Sequence, residues 1–454
     1  MKKIVLVLFL VAILSVGVSA EEISVETSAK IKYTIQASFK IPEHTKVTDI
    51  NITEPLILED YRQKIEDMNV VLVCGPDGQE TETGCGQIRF EIQDTNIGKQ
   101  IHIFGKKPPE SIKYTAHVEL DTTYTEPVIS STISATQNES EYTSATQNIE
   151  VDSEVRALAE SITTKTNTLD EIIDITSWVH KNIQYNLEFG KVERTAKQTI
   201  TERQGTCDEI ANVEIALLRA KKIPARYISG FAYSGTAWER HAWVEALVAG
   251  VWVPIDPTFY QIGHIDVNHF AISKTADYAD SSSRILWHAE GKVPPISKTV
   301  DNIDLYSDST KSPLFDAQIN IPAVVTYTQD FTVELTISNT QEQYFVIPTT
   351  LYIGDSFTYL SNKEKVLVLA PHITKTNWRL RAPPKDTKTY LYEVKIKVLD
   401  EILTTHIKTK PVEEKSTTLE SPTEEIPWAY IVAGVGSLIA IIVIKVIMGL
   451  KHAH

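Results

Sequence analysis

Arg203-Gln204-Gly205-Thr206-Cys207-Asp208-Glu209 begins a helix and puts a cysteine in its first turn. Thr206 followed three residues later by Glu209 is a capping box, and the apolar residues Ile210, Val213, Leu217 and Leu218 then recur at helical spacing. Unpaired backbone N–H groups and the positive end of the helix dipole favour a thiolate there, the form in which cysteine is a nucleophile. The spacing therefore predicts a reactive thiol at Cys207. Taken alone, a cysteine is more often a buried structural thiol, so its partners decide between the two.

His241 lies 34 residues beyond Cys207, and Asp256 a further 15. Both sit in or beside strand-like runs, Arg226 to Ala232, His241 to Val248 and Val251 to Ile255. If Ala249-Gly250 is a two-residue turn, paired positions sum to 499, which sets Trp243 opposite Asp256 and His241 opposite Thr258. His241 and Asp256 are then diagonal neighbours on one face, with Cα atoms about 7–8 Å apart, within reach of an imidazole and a carboxylate. A three-residue turn would reverse the parity and separate them. In the two-residue register Asp256 can fix the imidazole tautomer and leave the other ring nitrogen for Cys207. Zinc held by these three residues would lack a closely spaced ligand pair, and no metal is expected. Trp238, Trp243 and Trp252 could line an acceptor cleft, although core packing suits the last two better.

Around this constellation run Trp178-Val179-His180-Lys181-Asn182-Ile183-Gln184-Tyr185, the cysteine stretch through Ala211, Leu217 to Arg226, His241-Ala242-Trp243-Val244-Glu245, and Trp252 to Thr258. In this order the five blocks resemble the core of the transglutaminase-like superfamily, in a membrane-anchored prokaryotic form. The resemblance covers about residues 150 to 290. It implies an α+β, papain-like core in which Cys207 is the nucleophile, His241 the general base and acid, and Asp256 the orienting carboxylate. The implied chemistry is acyl transfer through a thioester, resolved by an amine in crosslinking or by water in hydrolysis. The Cys207 N–H is an oxyanion donor by its place in the first turn, with Gln184 or Tyr185 as a second. The calcium loops of the animal crosslinking enzymes find no match, so no cofactor is expected. A different class of function is also open: a surface binding or structural protein that keeps the core as a scaffold.

The rest of the chain bears on compartment and architecture. With Lys+Arg 44 and Asp+Glu 59, the net charge of 44 − 59 = −15 lacks the basic footprint of a nucleic-acid partner. Met1-Lys2-Lys3, the apolar run Ile4 to Val18, and Val18-Ser19-Ala20 read as a signal peptide over 1–20. Trp428 to Leu450 is long enough to cross a bilayer, and its only charge, Lys445, is close enough to the end to snorkel. Glu424 and Glu425 before it and Lys445 and Lys451 after it orient the tail 451–454 to the cytoplasm. The expected location is therefore the cell membrane, single-pass, with the bulk of the chain outside and a protein or peptide substrate at the cell surface. Cys74 and Cys85 flank the turn-rich Gly75-Pro76-Asp77-Gly78, which suggests a disulfide in an exported chain and leaves Cys207 unpaired. Asn51 and Asn138 head glycosylation sequons.

Periodicity divides the chain further. Alternation at Ile31 to Ile41, Ile88 to Gln93 and Ile112 to Leu120 makes residues 21–126 a β-rich module, with a polar linker at 127–148. Helical spacing follows from Val155 to Ile162 and from Ile172 to Ile183, the second behind a capping box at Thr168 and Glu171. Helices first and an antiparallel sheet second make 149–300 an α+β core. Residues 301–409 read as an immunoglobulin-like sandwich and 410–427 as a solvated stalk before the span at 428–450.

Overall fold

The computed structural model describes residues 15–17, 21–42, 46–76, 78–123, 140–291, 294–339, 345–369, 372–399 and 401–411. The signal segment other than 15–17, Asn138, the stalk beyond 411, the apolar span 428–450 and the tail 451–454 lie outside them. Among the described residues no helix is long and apolar enough to cross a membrane.

Three helices pack on one sheet to form the centre of the molecule. The helix Ser153–Ile162 is capped by Asp152, whose carboxylate accepts the N–H groups of Glu154 and Val155. The helix Thr168–Asn182 is capped one residue earlier than its sequence suggests. Asn167, not Thr168, takes the Leu169 and Asp170 N–H groups, because Asn167 keeps extended backbone angles while Thr168 is already helical. The cysteine helix, Cys207–Ala220, is buried nearly all round, Glu209, Asn212, Glu214 and Arg219 included. A helix with no wet face has to satisfy its polar side chains internally. Arg219 does so by donating to the carbonyls of Ala225, Ser144 and Ala276. Its demand for acceptors, with the Asp277 carboxylate on Asn148, docks residues 144–148 against the core. The described end of the expected linker is thus packed structure and not an open loop.

The sheet runs His269–Thr275, Ala225–Tyr233, Trp238–Val248, Val251–Asp256, Gln261–Ile262, all antiparallel. Its hairpin has the 499 register: Val248 pairs with Val251 and Val244 with Ile255. Ala249 and Gly250 both take positive φ, 50° and 84°, as a primed two-residue turn requires.

Flanking strands are shared between layers. Glu21–Lys40 pairs with Ser111–Thr123 and with the 26-residue strand Ser297–Pro322. That long strand then pairs with Asp330–Asn339, so the expected boundary at 300/301 falls inside one strand that serves both the N-terminal and C-terminal sheets. Arg284–Glu290, expected in the core, is the edge of a four-stranded sheet with Lys46–Ile57, Gly98–Lys106 and Ile88–Thr95. On the other side, Ile262 pairs with Val346 and joins the core sheet to the C-terminal strands. Phe231, Phe270 and Ile272 of the core sheet are also buried with Tyr33 and Phe39 of the N-terminal strand, so no polar seam separates these layers.

Candidate active site

Cys207 is the first residue of its helix. The Glu209 carboxylate behind it accepts the Thr206 N–H at 2.8 Å and the Thr206 hydroxyl. Gly205 allows this turn to close, since a Cβ there would stand 2.8 Å from the Glu209 side chain. The sulfur is unpaired and buried. Gln204–Gly205 pairs in parallel with Gln184–Tyr185, which sets the end of the second helix beside the cysteine turn.

His241 and Asp256 meet as the hairpin register requires. His241 Nε2 stands 2.6 Å from Asp256 Oδ2, and both side chains are almost wholly buried. The other carboxylate oxygen of Asp256 accepts the N–H groups of Thr258 and Phe259 at 2.8 and 2.9 Å. Held by fixed donors at both oxygens, the carboxylate cannot rotate. The Phe259 ring lies parallel to the His241 ring at 4.8 Å. With Nε2 held by Asp256, Nδ1 is the ring nitrogen left for a reacting proton. The Ala242 backbone N–H, next along the histidine's strand, favours the Cys207 thiolate.

The surroundings of the sulfur oppose the thiolate that the helix terminus favours. Burial pushes the Cys207 thiol well up, the Asp208 carboxylate adds to it, and Asp256 contributes in the same direction. The N–H groups of Ala242 and Asp208 offset only part of this. Asp208 Oδ1 is 3.9 Å from the sulfur and is held there by the Tyr227 hydroxyl at 2.7 Å. Removal of water and a carboxylate next door outweigh the helix dipole.

Of the two expected oxyanion side chains, Tyr185 is half exposed and its hydroxyl is pushed up to about 12, by burial first and by Cys207 second. The Gln184 N–H is spent on the Arg203 carbonyl at 2.8 Å. Trp243 is buried, edge-on to His269 at 5.5 Å, while Trp252 lies beneath Arg226 at 4.1 Å and Trp238 packs at 5.8 Å from Phe270. Cys74 and Cys85 form the expected disulfide, Cα atoms 6.2 Å apart. Asn51 is exposed on its strand, with its side-chain oxygen 3.2 Å from His102 Nε2.

Two residues that spacing alone did not reveal complete the cluster. His269 Nε2 is 3.3 Å from Asp256 Oδ2, and His269 Nδ1 is 2.9 Å from Asp266 Oδ1. Burial opposes a charge on His269, but Asp266 and Asp256 together raise it to about 9. Against the same opposition, His241 and His269 hold Asp256 well below the usual carboxylate range. The signal was present as Asp266-x-x-His269, but its contact with Asp256 is tertiary, between the ends of strands that have two others between them in the sheet. Ligating atoms of His241, Asp256 and His269 lie within 4.8 Å of one another.

Residues 156–257 match the family model of the transglutaminase-like superfamily. Among curated proteins, the chain is similar to an uncharacterized protein of Mycobacterium tuberculosis, 25% identical over 141 residues, covering 27% of this chain and 43% of the relative. An uncharacterized protein of Mycobacterium leprae is 25% identical over 138 residues, covering 29% and 48%. The chain thus spans less than half the length of the curated relatives it matches. A solved chain from Cytophaga hutchinsonii, a candidate cysteine protease, is similar with a TM-score of 0.46 and 19% identity, over 65% of this chain and 93% of that one. A candidate protease from Parabacteroides distasonis has a TM-score of 0.22 and 10% identity, over 77% and 69%.

Proposed function

We propose, from the membership of residues 156–257 in the transglutaminase-like superfamily, that this protein is a thiol-dependent enzyme of acyl transfer acting on a protein or peptide carboxamide. Cys207 is the nucleophile, His241 the proton carrier and Asp256 the residue that orients it. The observation that supports this most is the 2.6 Å bond to buried Asp256 from buried His241, on a strand against which packs the helix headed by Cys207, the only free cysteine among the described residues.

Burial and Asp208 both oppose a free thiolate, and in this reading attack and proton transfer are coupled. His241 Nδ1 takes the thiol proton as the sulfur bonds to the carbonyl carbon, and Asp256 stabilises the imidazolium that forms. The Cys207 N–H, unpaired in the first helical turn, faces the developing oxyanion, and the Tyr185 hydroxyl is the second donor we favour. His241 then returns the proton to the leaving nitrogen, the carbon–nitrogen bond breaks, and a thioester remains. An amine or water, deprotonated by His241, attacks the thioester and releases the sulfur as a thiol. The Cys74–Cys85 disulfide supports an oxidising, extracytoplasmic setting, with the chain anchored at the membrane by 428–450.

The test uses p-nitrophenyl acetate on the full chain. The expected result is a burst of p-nitrophenolate and an acetyl adduct on Cys207 by mass spectrometry, lost in Cys207→Ala and slowed about 10²–10⁴-fold in His241→Ala. An adduct that forms at the same rate without His241, or none at all, overturns the reading in favour of a binding scaffold. Adding a primary amine to the acylated enzyme then separates crosslinking from hydrolysis.

A further inference from the structure

The reaction needs only Cys207, His241 and Asp256, yet the buried network does not stop at Asp256. Asp256 Oδ2 accepts from His241 on one side and faces His269 Nε2 at 3.3 Å on the other. His269 Nδ1 faces Asp266 Oδ1 at 2.9 Å, and Asp266 is fixed by the Gln261 side-chain amide at 2.6 Å and the Asn268 N–H at 2.9 Å. Gln261 in turn is the strand partner of Asp256, so the network closes into a ring. Both nitrogens of His269 point at carboxylate oxygens. A neutral imidazole would aim a lone pair at one of them, so only the doubly protonated ring satisfies both. The ring is immobile: His269 is fully buried, with Trp243 and Phe259 edge-on at 5.5 and 5.4 Å.

We propose that His269, clamped between Asp256 and Asp266, is a positioning residue that sets the place and the effective charge of the carboxylate serving His241. This rests on the assignment of His241 and Asp256 above. A cation on the far side of Asp256 shares its negative charge, so less of that charge is available to His241. His241 thus meets a carboxylate whose charge is partly balanced from its far side. Remove the cation and the full charge of Asp256 faces His241. The charged and titratable groups around His269 are Asp256 and His241 from the hairpin, and Asp266 and His264 from the loop before its own strand. Farther out, Arg62 donates to the Asp266 carbonyl, and Glu26 accepts from Asn268.

The experiment is His269→Gln in the full chain, read by the titration of His241 in isotope-labelled protein. No substrate is needed. The expected result is a rise of the His241 midpoint by about one pH unit, matched by an equal displacement of the acid limb of Cys207 alkylation by iodoacetamide. Asp266→Asn should move both the same way by less, and serves if His269→Gln does not fold. A His241 midpoint unmoved in a folded variant overturns the proposal, since a merely structural histidine would alter thermal stability alone. If p-nitrophenyl acetate fails to acylate the wild type while the His241 midpoint still rises in the variant, the acyl-transfer reading falls and the positioning role stands.

Discussion

Asp208 and Cys207, adjacent in sequence, face each other in space: the carboxylate Oδ1 stands 3.9 Å from the sulfur and is held there by the Tyr227 hydroxyl. After burial, this carboxylate is the largest influence raising the thiol. Asp208→Asn should therefore lower the Cys207 midpoint. Because the thiolate is the reactive form, alkylation by iodoacetamide at pH 7 should speed up by about tenfold if that midpoint falls by one pH unit. Slower alkylation in Asp208→Asn would mean that the carboxylate assists the thiol instead of restraining it.

Asp256→Ala should cost more than an ordinary buried carboxylate. It removes the fixed acceptor of His241 and leaves His269 without one of its two counter-charges. Acylation by p-nitrophenyl acetate should fall about 10²–10⁴-fold. The thermal midpoint should fall as well, since an uncompensated buried charge remains. Unchanged acylation in this variant would exclude Asp256 from the reaction.

Glu214 gives a pH dependence that has nothing to do with the reaction. It is fully buried in the cysteine helix, accepts one bond from the Thr176 hydroxyl at 2.6 Å, and its second oxygen has no partner. Burial raises its carboxyl to about 8. The folded state therefore keeps a proton that the unfolded chain releases near pH 4.5, the ordinary value. The stability this group contributes is fully present below that value and is lost as pH rises towards 8. Glu214→Gln should remove the dependence, gaining on the order of 3 kcal/mol at pH 9 relative to pH 5. Thermal midpoints of both proteins across this range provide the check, and a parallel decline in the two would rule Glu214 out as its source.

Gly230 allows the approach that brings His269 to Asp256. A Cβ at this position would meet the Phe270 carbonyl at 2.1 Å and the Trp243 ring at 2.8 Å, beside the register shift between Ser229 and Gly230. Backbone cannot give way as a flexible side chain does. Gly230→Ala should cost about 2 kcal/mol or more in denaturant unfolding and slow acylation by moving the His269 strand. A variant with wild-type stability would show that the two strands are less constrained than these contacts imply.

Much of the site was legible because it depends on short-range rules. The capping box at Thr206 and Glu209 and the hairpin turn at Ala249-Gly250 are local, so the sequence by itself determined that Cys207 heads a helix and that His241 and Asp256 share a face. The alternation in 31–41 and 112–120 likewise determined strands. Tertiary structure alone decided what surrounds those residues. Sulfur reactivity follows burial and the Asp208 carboxylate, which outweigh a helix dipole that the sequence can only suggest. His269 meets Asp256 from a strand with two others between them in the sheet, a contact that no turn rule predicts. Ser297–Pro322 crosses the boundary that composition drew, because one long alternating strand can serve two sheets without any change in pattern. Local geometry is set by neighbours in the chain, whereas charge and proton position are set by whatever folding brings alongside.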